Sequence, residues 1–98
     1  MALVIVVSYD VETTTKEGKV RLRKVGRACL DFGQRVQFSV FECTVSEEQW
    51  VRLRARLLTL IDVKKDSLRF YNLGEESARR IEHHGAKATS DPQGVLLV

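Results

Sequence analysis

The chain has 98 residues, 44% hydrophobic and 30% charged, a balance that excludes intrinsic disorder and leaves room for one small domain. Sixteen Lys and Arg against thirteen Asp and Glu give a net charge of +3, too small by itself to establish nucleic-acid binding, so the placement of the charges matters more. A core of this size is small, and such domains often gain stability by pairing with a copy of themselves.

Residues 2–9 (ALVIVVSY) are a near-continuous apolar, β-branched run. They predict a strand buried on both faces at the centre of a sheet. The run is far too short to span a membrane. It also lacks the basic segment and cleavage site of a signal peptide. A cytoplasmic protein is the expectation. Residues 11–18 (VETTTKEG) read as a loop ending in Gly18.

Helical periodicity follows over 19–33, with Leu22, Val25, Cys29 and Phe32 on one side. Arg23 and Arg27 are i,i+4 neighbours on the opposite side, and Gly33 is placed to end the helix. Residues 35–45 (RVQFSVFECTV) read as strand, but the alternation changes phase. Val36, Phe38 and Val40 share one face, and Phe41, Cys43 and Val45 then take the opposite phase. A bulge or tight turn is expected near Ser39–Phe41, dividing the segment into two strands.

Ser46 and Gln49 form a capping-box pattern before a helix that runs to about Ile61. Its expected buried stripe is Trp50, Leu53, Leu57, Leu60 and Ile61. The segment DVKKD, closed by Asp66, reads as a polar connection. Residues 67–73 read as a strand stopped by Gly74. One or two helical turns are expected over 75–82, loop over 83–94, and a short strand in the terminal VLLV. The fold class is therefore α+β, a ferredoxin-like βαββαβ sandwich with an additional C-terminal strand; that it is dimeric is the expectation its small core raises. Residues 1–82 make the ferredoxin-like domain. Residues 83–98 make a tail and strand that belongs to the same domain or docks on a partner.

Cys29 and Cys43 fall in apolar-periodic segments and read as buried free thiols; with no CxxC or Cys/His cluster, a zinc site is not expected. Asp10 is the first candidate for chemistry, because a carboxylate at the end of a central strand is held rigidly at the sheet's edge. A turn or helix-capping role is its structural alternative. A single Asp does not hold a metal alone, so a Mg2+ site at Asp10 requires a two-fold dimer that brings two copies together. The basic set is Lys16, Lys19, Arg21, Arg23, Lys24, Arg27 and Arg35. It reads either as a solvated face or as a track for phosphates. Arg21, at the border of the apolar stripe and close after the Asp10 loop, is best explained by a phosphate contact. Tyr9 and Phe41 read as core residues, with an exposed dimer or ligand surface as the alternative for Phe41. His83 and His84 are adjacent and point differently. Asp62 and Asp66 read as helix-end and turn residues. No P-loop, GxGxxG, nucleophile elbow or HExxH occurs.

Five segments together carry a resemblance: SYDV (Ser8 to Val11), RLRKV (Arg21 to Val25), GQRVQFSVFEC (Gly33 to Cys43), DSLRFYNLG (Asp66 to Gly74) and EHHGAK (Glu82 to Lys87). In this order the chain resembles the CRISPR-associated family of small ferredoxin-like adaptation proteins, the second of the core Cas proteins, and is similar to the branch found with type I systems of subtype C. The GxRVQxSVFEC block is the specific part. The tail departs from the pattern, with Ala88 after Lys87 and a GVLLV ending.

The resemblance implies a homodimer bridging the larger integrase subunits that insert new spacers into a CRISPR array. It also implies a metal-dependent endonuclease using Mg2+, or Mn2+, on double-stranded DNA or single-stranded RNA. The family's metal-binding and catalytic carboxylate falls on Asp10. Its supporting tyrosine falls on Tyr9, its basic positions on Arg21, Arg23 and Arg35, and its interface aromatic on Phe41. A small-ligand regulatory module fits the clustered arginines poorly. An RNA-binding domain of related topology would need exposed aromatics along its central strands, and β-run 2–9 offers only Tyr9.

Overall fold

The computed structural model describes residues 2–75 and 80–85. Six elements run in the order β1 (Ala2–Asp10), α1 (Lys16–Leu30), β2 (Gly33–Gln37), β3 (Val40–Ser46), α2 (Glu47–Leu60) and β4 (Ser67–Glu75). The strands form one antiparallel sheet in the order β2-β3-β1-β4. That is the ferredoxin-like arrangement: each βαβ half is split by a strand of the other.

β1 is central, as its β-branched run predicts, pairing with β3 on one side and β4 on the other. Its two faces are not equal. Ile5, Val7 and Tyr9 point under the helices and are buried, whereas Val4, Val6 and Ser8 point to the other face and are half-buried. The expectation of burial on both faces therefore holds for one face of a single chain. Val25, Ala28 and Cys29 of α1, Phe41, Cys43 and Val45 of β3, and Leu53 and Leu57 of α2 complete the core. Burying a leucine such as Leu53 or Leu57 stabilises the fold by about 2 kcal/mol. At the sheet's β4 side, Trp50 meets Phe70 edge to face with ring centroids 4.8 Å apart. Both thiols are free and buried, and burial pushes the Cys29 pKa up to about 12 and that of Cys43 to about 11. They are inert at neutral pH.

Three boundaries differ from the sequence reading. α1 starts at Lys16, because the Thr15 hydroxyl caps it by accepting from the Gly18 amide at 3.0 Å. Gly18 thus lies inside the first turn of the helix, where a Cβ would collide with the Glu12 carbonyl. Gly33 opens β2 instead of closing the helix, and there a Cβ would collide with Glu42 and Cys43 of β3. Both glycines answer close approaches of backbone, not turns. The phase change is resolved by two devices. Phe38 and Ser39 form the turn, and the β2–β3 register shifts between Arg35 and Gln37, leaving Val36 as an extra residue. Phe38 consequently leaves the strand face and is 85% exposed.

The capping box of α2 is present as predicted: Gln49 N donates to Ser46 Oγ at 3.1 Å and Ser46 N to Gln49 Oε1 at 2.9 Å. β4 continues through Gly74 to Glu75, with Gly74 at φ +80° beside a register shift in the β1–β4 pairing. The expected terminal strand (VLLV), residues 76–79 of the expected 75–82 turns and residues 86–94 of the expected loop lie outside the described residues, and Glu75 belongs to β4 instead. No helix among the described residues is long and apolar enough to cross a membrane.

Candidate functional site

The carboxyl end of β1 is where the predicted site residues separate into two groups. Side chains alternate along a strand, so Tyr9 and Asp10 take opposite faces. Tyr9 turns into the core and is 5% exposed. Its ring stacks on Phe41 at 6.1 Å, its hydroxyl donates to the Phe38 carbonyl at 3.5 Å, and its amide donates to the Ser39 carbonyl at 3.0 Å. Arg35 lies with its guanidinium 4.8 Å over the Phe41 ring and also donates to the Phe38 carbonyl. Burial raises the Tyr9 pKa, with the Arg35 charge pulling the other way. Tyr9, Arg35 and Phe41 thus clamp the β2–β3 turn against the end of β1.

Phe41 is fully buried within one chain. The core reading of Phe41 therefore holds, and the interface role that the resemblance implied does not fit a side chain fully covered within one chain. The Phe41, Cys43, Val45 phase is the one that faces the helices, and the exposed aromatic beside it is Phe38.

Asp10 is exposed and pairs through its backbone with Ser67 of β4. Among the described residues, nothing donates a hydrogen bond to its carboxylate. The next residues are tied down closely. Glu12 accepts from the Thr14 amide, from the Thr14 hydroxyl at 2.8 Å and from the Thr15 amide at 3.2 Å. These bonds, that of the Thr14 hydroxyl foremost, lower the Glu12 pKa.

Below this loop sits Asp66, whose side chain is 0% exposed. Its Oδ1 accepts from the Glu12 amide at 3.0 Å and from Arg21 Nη2 at 3.2 Å. Its Oδ2 accepts from the Asp62 amide at 2.8 Å and from Arg21 Nε at 2.8 Å. Chiefly through Arg21, these bonds hold the Asp66 pKa down at about 2. Sequence reading missed this residue. The signal was Arg21 at the margin of a buried stripe, where a cation needs a carboxylate partner.

The basic residues are divided as well. Arg21 is bound to Asp66, and Arg35 clamps the turn. Arg23 and Arg27 are exposed and, with Lys24 and Arg56, rim a groove of about 550 Å³ between α1 and α2, floored by Val20 and Leu60. Arg56 was not anticipated; it also bonds Asp31 at 2.7 Å. This groove lies on the helical side of the sheet, whereas Asp10 points to the other. On that other side, Ile81, His83 and His84 line a groove of about 900 Å³ with Ser8, Val40 and Glu42. Among the described residues, no three His, Cys, Asp or Glu side chains gather to hold a metal ion.

Residues 1–81 match the family model described as CRISPR associated protein Cas2. The chain belongs to the Cas2 family. Among similar relatives, the "CRISPR-associated endoribonuclease Cas2" of Chlorobaculum tepidum is 51% identical, over 98% of this chain and all of the relative. The "CRISPR-associated endonuclease Cas2" of Halalkalibacterium halodurans is 46% identical, over 97% of this chain and 99% of the relative. The crystal structure of Streptococcus pyogenes Cas2 at pH 6.5 superposes with a TM-score of 0.72 at 50% identity, covering 84% of this chain and 99% of that one. The Cas2 relationship spans every described element, so the β1 end and the two grooves belong to the shared domain.

Proposed function

We propose that the chain acts as a homodimeric CRISPR adaptation protein, a subunit of the spacer-acquisition integrase assembly, with a metal-dependent phosphodiesterase centre at paired Asp10 residues. The observation that carries the nuclease reading is Asp10 itself, an exposed carboxylate at the end of the central strand with no hydrogen-bond donor among the described residues. One chain offers one such carboxylate. The residues therefore fit a Mg2+ or Mn2+ ion only as a pair across a dyad, each copy giving its Asp10. A divalent ion there supplies Lewis-acid charge toward a scissile phosphate and lowers the pKa of water. The chain's own part is to hold Asp10 at a fixed height, through the Tyr9 clamp on one side and the Glu12–Asp66 bonds on the other. The half-buried apolar face with Val4, Val6 and Val40 supports pairing through the open side of the sheet, where Asp10 points.

Relatives named endoribonuclease and endonuclease support phosphodiester hydrolysis; the substrates to test, single-stranded RNA and double-stranded DNA, are those the family resemblance implies. The test is cleavage of both substrates with Mg2+ and with chelator, comparing wild type with Asp10→Asn. Metal-dependent cleavage lost in the variant is the expected result. Cleavage that survives the substitution refutes the assignment.

A second reading, a DNA-bridging subunit that needs no cleavage, is favoured by the separate basic groove. Arg23, Lys24, Arg27 and Arg56 are positioned to follow a phosphate backbone without reading bases. Co-purification with the larger integrase subunit and spacer insertion by Asp10→Asn would favour this reading over the first.

A further inference from the structure

Arg21 and Asp66 are 45 residues apart in sequence, yet each carboxylate oxygen of Asp66 takes one guanidinium bond and one backbone amide bond. All four acceptor positions of the carboxylate are filled. The amides come from Glu12, two residues after Asp10, and from Asp62 at the end of α2. Ser67, adjacent to Asp66 in the chain, pairs with Asp10 in the sheet. Asp66 therefore grips both sides of Asp10: one by covalent continuity with β4, the other through the Glu12 amide. Arg21 binds it bidentately, which fixes the plane of the carboxylate as a single contact would not. The early start of α1 puts Arg21 in the helix's second turn, facing this buried group and only 17% exposed.

We infer that Arg21 and Asp66 form a clasp that positions Asp10, so that Arg21 serves the site by orienting Asp66 and not by touching nucleic acid. The inference rests on the proposed reading of Asp10 as the metal-binding carboxylate. Arg21 and Asp66 are positioning residues. Loosening either lets the β1 end drift, and a displacement of about 1 Å at a reacting group lowers turnover on the order of 100-fold.

The experiment compares wild type, Arg21→Gln, Asp66→Asn and the double variant as full-length protein, at a temperature where each is folded by circular dichroism. Three readouts are taken: kcat and KM for cleavage, nucleic-acid affinity across a salt series, and amide hydrogen exchange at Asp10, Val11 and Glu12. The clasp predicts that both single variants lose kcat by a similar factor, on the order of 10- to 100-fold. The double variant is no worse than the singles, and KM and the salt dependence of binding are unchanged. Exchange at Asp10 to Glu12 rises in both. If Arg21 contacts phosphate instead, Arg21→Gln lowers affinity and reduces the slope of log K against log salt by about 0.9, whereas Asp66→Asn does neither; that result overturns the clasp. Should the wild type not cleave at all, the nuclease reading falls. The clasp is then judged by exchange alone: unchanged protection at Asp10 to Glu12 in Asp66→Asn refutes it. If Asp66→Asn does not fold, Arg21→Gln carries the same comparison.

Discussion

Asp10 and Asp66 stand at the same end of the sheet, one closing β1 and the other just before β4, and they are employed in opposite ways. The side chain of Asp66 is fully buried and accepts four hydrogen bonds from three segments of the chain. Asp10 is exposed, and no described residue donates to its carboxylate. A carboxylate whose lone pairs are filled by the protein is committed to the fold and has nothing left for a ligand. One held at a rigid strand end with its lone pairs open is available to a cation. The neighbouring arginines repeat the contrast: Arg21 is bound to Asp66, while Arg23, two residues on, faces solvent with Arg27.

The largest effect that separates the two carboxylates is stability. Asp66→Ala leaves the Glu12 and Asp62 amides and the Arg21 guanidinium without their acceptor, and is expected to destabilise the fold by on the order of 3 kcal/mol. Urea unfolding monitored at Trp50 reads this directly, and a loss below about 0.5 kcal/mol, the usual range for surface substitutions, would erase the distinction.

On the basic side, Arg23→Glu with Arg27→Glu should weaken nucleic-acid binding and flatten the log–log salt slope by about 1.8, the share of two phosphate contacts. An unchanged slope would mean the α1–α2 groove is not a phosphate track.

The acid limb of stability gives a smaller signal. The folded Asp66 pKa of about 2 lies below the ordinary 3.8, so its ionised form favours the fold above that range. This contribution falls away as pH drops from about 4 toward 2. Unfolding measured across that interval should show a steeper loss for wild type than for Asp66→Ala, and parallel curves would contradict the assignment.

The smallest effect belongs to Asp10. Asp10→Asn should leave stability within about 0.5 kcal/mol of wild type in a thermal melt, because no described residue donates a hydrogen bond to its carboxylate. A large drop would show that Asp10, too, is structural.

Much of this was legible in the sequence, because it is written in local patterns. The β-branched run of residues 2–9, the Ser46–Gln49 capping box and the period of Leu53 and Leu57 each name their element within a few residues. Asp10 was legible for the same reason, as a lone carboxylate directly after a central strand. The misreadings are those in which distant backbone decides. Gly18 and Gly33 look like punctuation, but they are small because Glu12 and β3 pass close by. The Thr13–Thr15 run looks like loop, and its last member is a cap. Phe41 was legible as core, but a surface position stayed open as the alternative because the bulge at Val36 and the turn at Phe38 and Ser39 decide which phase faces the helices, and neither carries a Gly or Pro. Asp66 was read as a turn residue since its partners lie 4, 45 and 54 positions away in sequence. No window short enough for periodicity contains them.

The most direct test of the division between the two carboxylates is a Mg2+ titration of the 13C-labelled protein, following the carboxyl carbons of Asp10 and Asp66 by NMR. The account predicts a saturable shift at Asp10 and none at Asp66. A shift at Asp66, or an Asp10 resonance that ignores Mg2+ at millimolar concentration, would contradict it.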